Sequence, residues 1–351
     1  MEKSVKQKRN YGAIDNFRLV AALLIVAIHT APLESLNSTA DFLVTYCMGR
    51  VAVPFFLMVT GFFVLAPYQR FVGHSSYQSE NAILKTKKFL KKTIALYAIA
   101  TLLYIPIKIY AKQLSNEVGV WLKEIFFDGT FYHLWYLPAV IIGCLLLMGL
   151  IKILSPLTIS AITLVLYIIG TAGDSYYQLI SQVPVLKTVY DGIFIVSSYT
   201  RNGIFFAPIF LWMGVVIANG KIRIPMRIAA EGLAISMAGM IAEGLLTYEM
   251  EWQKHNSMYI LLLPVMFFLF ELLLSVKGTT FKVVRDMSMC VYIIHPACIV
   301  LVRGVANVIK VQKILVEQSL VHYLAVCVVS LILSFGIAEI MQFFKNRRVT
   351  I

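Results

Sequence analysis

Residues 11–32, YGAIDNFRLVAALLIVAIHTAP, carry three ionisable side chains, Asp15, Arg18 and His29, in an otherwise apolar run. An ionisable group inside a membrane-spanning helix costs roughly 2.5–3.5 kcal/mol on insertion scales, so each one asks for a reason. Imidazole, with an ordinary pKa of about 6.5, takes a proton from a hydroxyl near neutral pH. Guanidinium presents a fork of donors to a phosphate or carboxylate. Arg18 and His29 stand eleven residues apart. At about 100° per residue that is close to three turns, which puts both on one face, about 16 Å apart along the axis. Asp15 lies three residues before Arg18, so the pair reads either as a salt bridge or as a site where Arg18 meets an anion. This face is expected to wall a polar cavity inside a membrane protein.

Other groups with chemical potential sit at the ends of apolar runs. Arg50 opens RVAVPFFLMVTGFFV, as an interfacial anchor or as a lining of the cavity mouth, and Gly61 there permits close helix contact. His133, Trp135 and Tyr136 form HLWYLPA, where the two aromatics suit a membrane-interface belt and the histidine is less expected. Arg201 and Asn202 fall at a similar level in TRNGIFFAP. Tyr292, His295 and Pro296 lie in SMCVYIIHPACI, and Pro296 should free a backbone carbonyl and bend its helix. Glu271 interrupts LLLPVMFFLFELLLSV, as a site residue or as a carboxylate snorkelling to the nearer surface. Lys85, Lys88, Lys91 and Lys92 form a solvated anchor or a dock for a polyanionic cofactor.

These residues need apolar elements to hold them, and the composition supplies those. The chain of 351 residues is 59% hydrophobic and 14% charged, with mean hydropathy +0.79. Soluble domains run about 45–50% apolar and about 25% charged, so the departure points to a polytopic membrane protein. The net charge of +13 does not indicate nucleic acid, because the basic residues sit between apolar runs. Five cysteines without CxxC spacing read as buried small residues, not as a disulfide framework or metal site. The first apolar run is long enough to span and lacks an A-x-A-like exit, so it reads as a retained first helix.

The expected fold class is all-α, with ten spans at 13–31, 51–67, 93–110, 134–151, 158–172, 203–218, 228–246, 258–275, 288–302 and 321–344. Residues 1–12 form a basic arm, 13–344 the membrane domain, and 345–351 a tail that could begin a linker to a further domain. With ten spans, twenty of the 31 Lys and Arg fall on one side and ten on the other, with Arg18 inside the first span. That excess places both termini in the cytoplasm. The tail of 68–92, KTKKFLKKT, is expected to lie as an interfacial helix on anionic headgroups. Residues 173–200 are expected to hold a short helix and to act as a lid or binding element.

The phrase D-x-x-R-x-x-A-x-x-x-V-x-x-x-H from Asp15 to His29 resembles the first helix of the acyltransferase-3 membrane O-acyltransferases. R-V-A-V-P-F-F-x-x-x-x-G-F-F from Arg50, HLWYL from His133 and S-x-x-x-Y-x-I-H-P from Ser288 complete a likeness over nearly the whole chain. HTAP from His29 and RNGIFFAPIFLWMG from Arg201 look like one branch, the membrane half of membrane-bound serine racemases of vancomycin resistance (VanT type). The resemblance implies a bacterial-type plasma-membrane enzyme that takes an acyl group from cytoplasmic acyl-CoA and passes it to an extracytoplasmic hydroxyl. It implies His29 as the essential acid/base and Arg18 as a contact of the donor's phosphate or thioester end. Lys85, Lys88, Lys91 and Lys92 would hold the donor where the family commonly has arginines. Arg50, His133, Trp135, Tyr136, Arg201, Asn202, Tyr292 and His295 would meet the acceptor, with Asp15 and Glu271 in support. No tightly bound cofactor and no metal are expected, acyl-CoA being a donor substrate. In the racemase-linked branch a pyridoxal-phosphate domain follows, which the 351 residues do not include, so racemisation is not expected of them. A second reading of the same scaffold is an L-serine uptake module that supplies such a domain without acyl transfer. Expected partners are the lipid bilayer, a small hydroxyl-bearing acceptor or L-serine, and a racemase domain after residue 351. Nucleic acid is not among them, and a homodimer is left open.

Overall fold

The computed structural model describes residues 11–72, 77–220, 224–279 and 281–347. The expected basic arm up to residue 10, Lys221, Arg223 and Arg348 lie outside them. Every regular element among the described residues is a helix.

Helix α1 spans Gly12–Thr30, with Asp15 in its first turn, where a carboxylate suits the positive end of the dipole. It stops at Ala31, whose φ of 48° is left-handed and whose N–H returns to the Ala27 carbonyl, just before Pro32. Helix α2 covers Ser38–Phe71 and starts well before the expected residue 51. Asn37 caps it by accepting from the Ala40 N–H at 2.8 Å. Two stretches of α2, Leu43–Cys47 and Gly61–Leu65, widen into π-helix, and Met48–Val51 tightens into a 3-10 turn. Helix α3 runs unbroken over Tyr77–Tyr110. At 1.5 Å per residue it is about 51 Å long, well beyond the ~30 Å hydrocarbon core. The expected separate interfacial helix around KTKKFLKKT is therefore corrected: those lysines lie from about the third to the fifth turn of one helix that runs on into the span expected from residue 93.

Helix α4 is Tyr136–Ile153, and α5 is Pro156–Ala172, capped by Ser155 and opened by a proline at its first turn. The short helix expected within 173–200 is α6, Pro184–Val196. Helices α7 (Ala207–Ala218), α8 (Met226–Glu249), α9 (Leu262–Ser275), α10 (Lys282–Val308) and α11 (Ser319–Arg347) complete the chain. All ten expected spans fall on apolar helices. Seven of these are long and apolar enough to cross a membrane, while α5, α7 and α9 are shorter. Spans expected from 203 and 258 begin as helix only at Ala207 and Leu262, because turns occupy the residues before them.

The chain divides into two compact units. The first gathers the described residues of Met1–Ala52, Ile224–Leu233 and Phe268–Ile351. Its core joins Ala22 and Val26 of α1 to Val291, Cys298, Ile299 and Val302 of α10 and to Val326 and Cys327 of α11. Gly12 and Gly278 touch backbone to backbone, so a Cβ on either would strike the other. Ser319 Oγ donates to the Pro32 carbonyl at 2.9 Å and ties the end of α1 to the start of α11.

The second unit comprises the described residues of Val53–Arg223 and Ala234–Phe267. Its centre is α7, which is apolar all round and buried along most of its length, as such a helix must be. Close approach needs glycine at two places: a Cβ at Gly61 would collide with the Leu211 carbonyl, and one at Gly214 with that of Met58. All five cysteines of the chain are buried.

Candidate functional site

In the first unit, α1 carries Arg18 and His29 as the periodicity requires. Arg18 Nε meets Asp15 Oδ1 at 3.2 Å, so the i,i+3 salt bridge forms, with the arginine side chain about one-fifth exposed at 18%. At the other end of α1, the half-buried His29 ring stacks on His295 of α10, with centroids 5.2 Å apart and planes 19° apart.

Local chain chemistry explains His295. Pro296 has no N–H, so the carbonyl four residues back, that of Tyr292, loses its helical donor. His295 Nδ1 donates to that carbonyl at 2.9 Å and to the Val291 carbonyl at 3.1 Å. The proton is therefore held on Nδ1, which leaves Nε2 as the lone-pair nitrogen of a fully buried ring. The helix continues through Pro296 without a break. Tyr292 is buried on the same helix. Arg50 belongs to the 3-10 turn that packs on α1, where Gly49 lies against Ile28, and its guanidinium stands 5.0 Å from the Tyr46 ring. Glu271 is 1% exposed. Snorkelling to the surface is thus corrected: this carboxylate is enclosed by protein.

The second unit holds the other expected residues. His133 sits in an aromatic box, edge-on to Tyr104 at 4.9 Å, Tyr132 at 5.6 Å and Phe131 at 5.7 Å. The Arg201 guanidinium is flanked by the Tyr199 ring at 4.2 Å and the Trp135 ring at 5.2 Å, and it donates to Ser257 Oγ at 3.0 Å. Tyr136 packs on Phe56 at 6.3 Å. Asn202 is buried and serves its own loop: its oxygen accepts from the N–H groups of Ile204 and Phe205, and its amide donates to the Tyr199 carbonyl. It sets the turn that leads into α7. Lys85, Lys88, Lys91 and Lys92 are exposed, and Lys85, Lys88 and Lys92 share one face of α3.

Two buried carboxylates escaped the sequence reading. Asp174 accepts from the N–H groups of Ser257 at 2.6 Å and Met258 at 2.9 Å. Glu243 accepts from Ile260 at 2.6 Å, Leu261 at 2.9 Å and the Tyr176 hydroxyl at 2.8 Å. Together they fix the segment that presents Ser257 to Arg201. Glu243 interrupts an apolar helix just as Glu271 does, so the rule that flagged one would have flagged the other. Asp174 carried no such signal, lying in a connection beside Gly173.

The described elements are all helices, and seven are long and apolar enough to cross a membrane, as expected of a multi-pass protein of the acyltransferase-3 family. Residues 11–339 match the acyltransferase domain of that family, and the chain belongs to it. It is similar to an amino-acid racemase of Enterococcus faecalis, 40% identical over 97% of this chain and 47% of the relative. A second E. faecalis amino-acid racemase is 36% identical over 93% of this chain and 46% of its own length. A serine/alanine racemase of Enterococcus gallinarum is 33% identical over 96% of this chain and 47% of its own length. The chain spans about half the length of these relatives. No solved structure matches.

Proposed function

We propose that this chain is the membrane module of a VanT-type protein and transfers an acyl group from cytoplasmic acyl-CoA to an extracytoplasmic hydroxyl. Ten helices cross the plasma membrane and both termini are cytoplasmic. His29 takes the acceptor's hydroxyl proton while the acceptor oxygen attacks the thioester carbonyl. The C–S bond breaks, and the departing CoA sulfur receives the proton from His29. Arg18 contacts the donor's phosphate or thioester end, and Arg50, Tyr292 and His295 line the acceptor side of the first unit. The observation that carries this reading is the His29–His295 stack, in which one ring is tautomer-fixed and the other is half-buried at the end of a helix. Purified protein given labelled acetyl-CoA should release CoA, and His29→Ala should abolish release. Absence of acyl-CoA binding by calorimetry would refute the reading.

A second reading, amino-acid handling without acyl transfer, draws on the racemase names of the relatives and on Arg201, a cation held between two rings that suits a carboxylate. Vesicles holding the chain should then accumulate labelled L-serine, less so with Arg201→Ala, and uptake no higher than in empty vesicles would end it.

A further inference from the structure

The connection between α8 and α9 forms an open pocket of about 280 Å³, lined by Tyr248, Glu251, Gln253, Lys254, His255 and Asn256. All six side chains end in a polar group, and none is aliphatic. At about 30 Å³ per water the pocket has room for roughly nine waters, which suits one small solute with part of its hydration.

The pocket is built in advance. The Asp174 carbonyl accepts from the N–H groups of Lys254 at 3.0 Å and His255 at 3.4 Å, and the Trp252 carbonyl accepts from Gln178 at 2.9 Å. With the bonds from the Asp174 and Glu243 carboxylates, residues 252–261 are pinned along their backbone. Gln253 uses its amide hydrogens on the Gly244 carbonyl at 3.3 Å and Thr247 Oγ1 at 2.6 Å, which leaves an acceptor oxygen. Lys254 Nζ is held against the Phe194 ring at 4.3 Å and the Tyr177 ring at 4.7 Å.

Glu251 is the unusual member. Helix α8 closes with the Trp252 N–H returning to the Thr247 carbonyl at 3.0 Å, and Glu251 takes the left-handed position with φ 54°. Glycine is the usual residue in that place, because a side chain there is strained. A glutamate in a glycine's position puts a carboxylate on the pocket at a cost to the turn.

We propose that this pocket binds a small zwitterion of amino-acid size, with its ammonium at Glu251 and its carboxylate at Lys254. A simple anion would meet Glu251 and a simple cation would meet Lys254, so only a molecule with both charges is matched. The proposal rests on the amino-acid reading above and does not depend on acyl transfer.

The test is equilibrium binding of labelled L-serine and L-alanine to the purified full chain, with ethanolamine and lactate as competitors that each carry half the charge pattern. Both amino acids should bind saturably, and each half-ligand should compete at least about tenfold more weakly. Glu251→Gln and Lys254→Met should each weaken binding about tenfold or more. Glu251→Gly should lose binding while holding or raising the melting temperature, because it relieves the left-handed backbone, and this separates loss of a ligand from loss of fold. Three results would each overturn the proposal: no saturable binding, binding retained in both charge variants, or lactate competing as well as serine. Binding that persists while vesicle uptake fails would refute transport and leave the pocket in place.

Discussion

The histidine pair and the Arg201 cluster are held by different means. His29 and His295 are placed by helix periodicity, and one ring has its tautomer set by a proline next to it in the chain. Arg201, Tyr199 and Ser257 are placed by turns, and those turns are held by carboxylates distant in sequence: Asp174 reaches backbone N–H groups 83 and 84 residues away. A helix can position a reactive group with its own hydrogen bonds, whereas a loop needs outside acceptors for its N–H groups. Substitutions should therefore separate chemistry from stability in the first region and join them in the second.

The largest expected effect is complete loss of CoA release in His29→Ala with the fold intact, since α1 keeps all its backbone bonds and the ring is only half-buried. A matching collapse of the melting temperature would break the contrast. Next in size is Asp174→Ala. It leaves two buried N–H groups without their acceptor and should destabilise by about 2–4 kcal/mol, read as a fall in melting temperature. An unchanged melting temperature there would mean the loop is not held as described.

Smaller and more diagnostic is Pro296→Ala. The new N–H would compete for the Tyr292 carbonyl and leave His295 Nδ1 with only its longer bond to the Val291 carbonyl. Helix stability should hold or rise, because a proline inside a helix costs about 3 kcal/mol relative to alanine when nothing else uses the freed carbonyl. CoA release should fall several-fold. Unchanged turnover would remove His295 from the proposed chemistry.

The same contrast explains what could be read in advance. The spacing of Arg18 and His29 and the apolar runs follow from one chain segment at a time, so the helices, the salt bridge and the freed carbonyl at Pro296 were foreseeable. The stack of His29 on His295 was not, because it joins α1 to α10 through core packing of Ala22 and Val26 on Val291 and Ile299. The continuous α3 was missed because a run of lysines marks an interface by charge while also favouring helix. Of the carboxylate anchors, Glu243 carried the same signal as Glu271, whereas Asp174 carried none, because the backbone N–H groups it holds are ones every residue but proline has and no sequence pattern marks.

The smallest effect concerns Tyr176, in the connection after α5, whose hydroxyl donates to Glu243. Burial, then the hydrogen bond to Glu243 and its negative charge, raise the phenol above its ordinary value of 10.0. The folded state therefore keeps this proton where the unfolded chain gives it up. The stability it contributes is fully present below pH 10 and falls as pH rises from there towards the folded value. Melting curves at increasing alkaline pH should show that decline, and Tyr176→Phe should flatten part of it while losing a few tenths to about 1 kcal/mol at neutral pH for the missing bond. An alkaline slope unchanged by the substitution would mean that Glu243 holds its loop through Ile260 and Leu261 alone, which would reduce the support of the second region to backbone contacts.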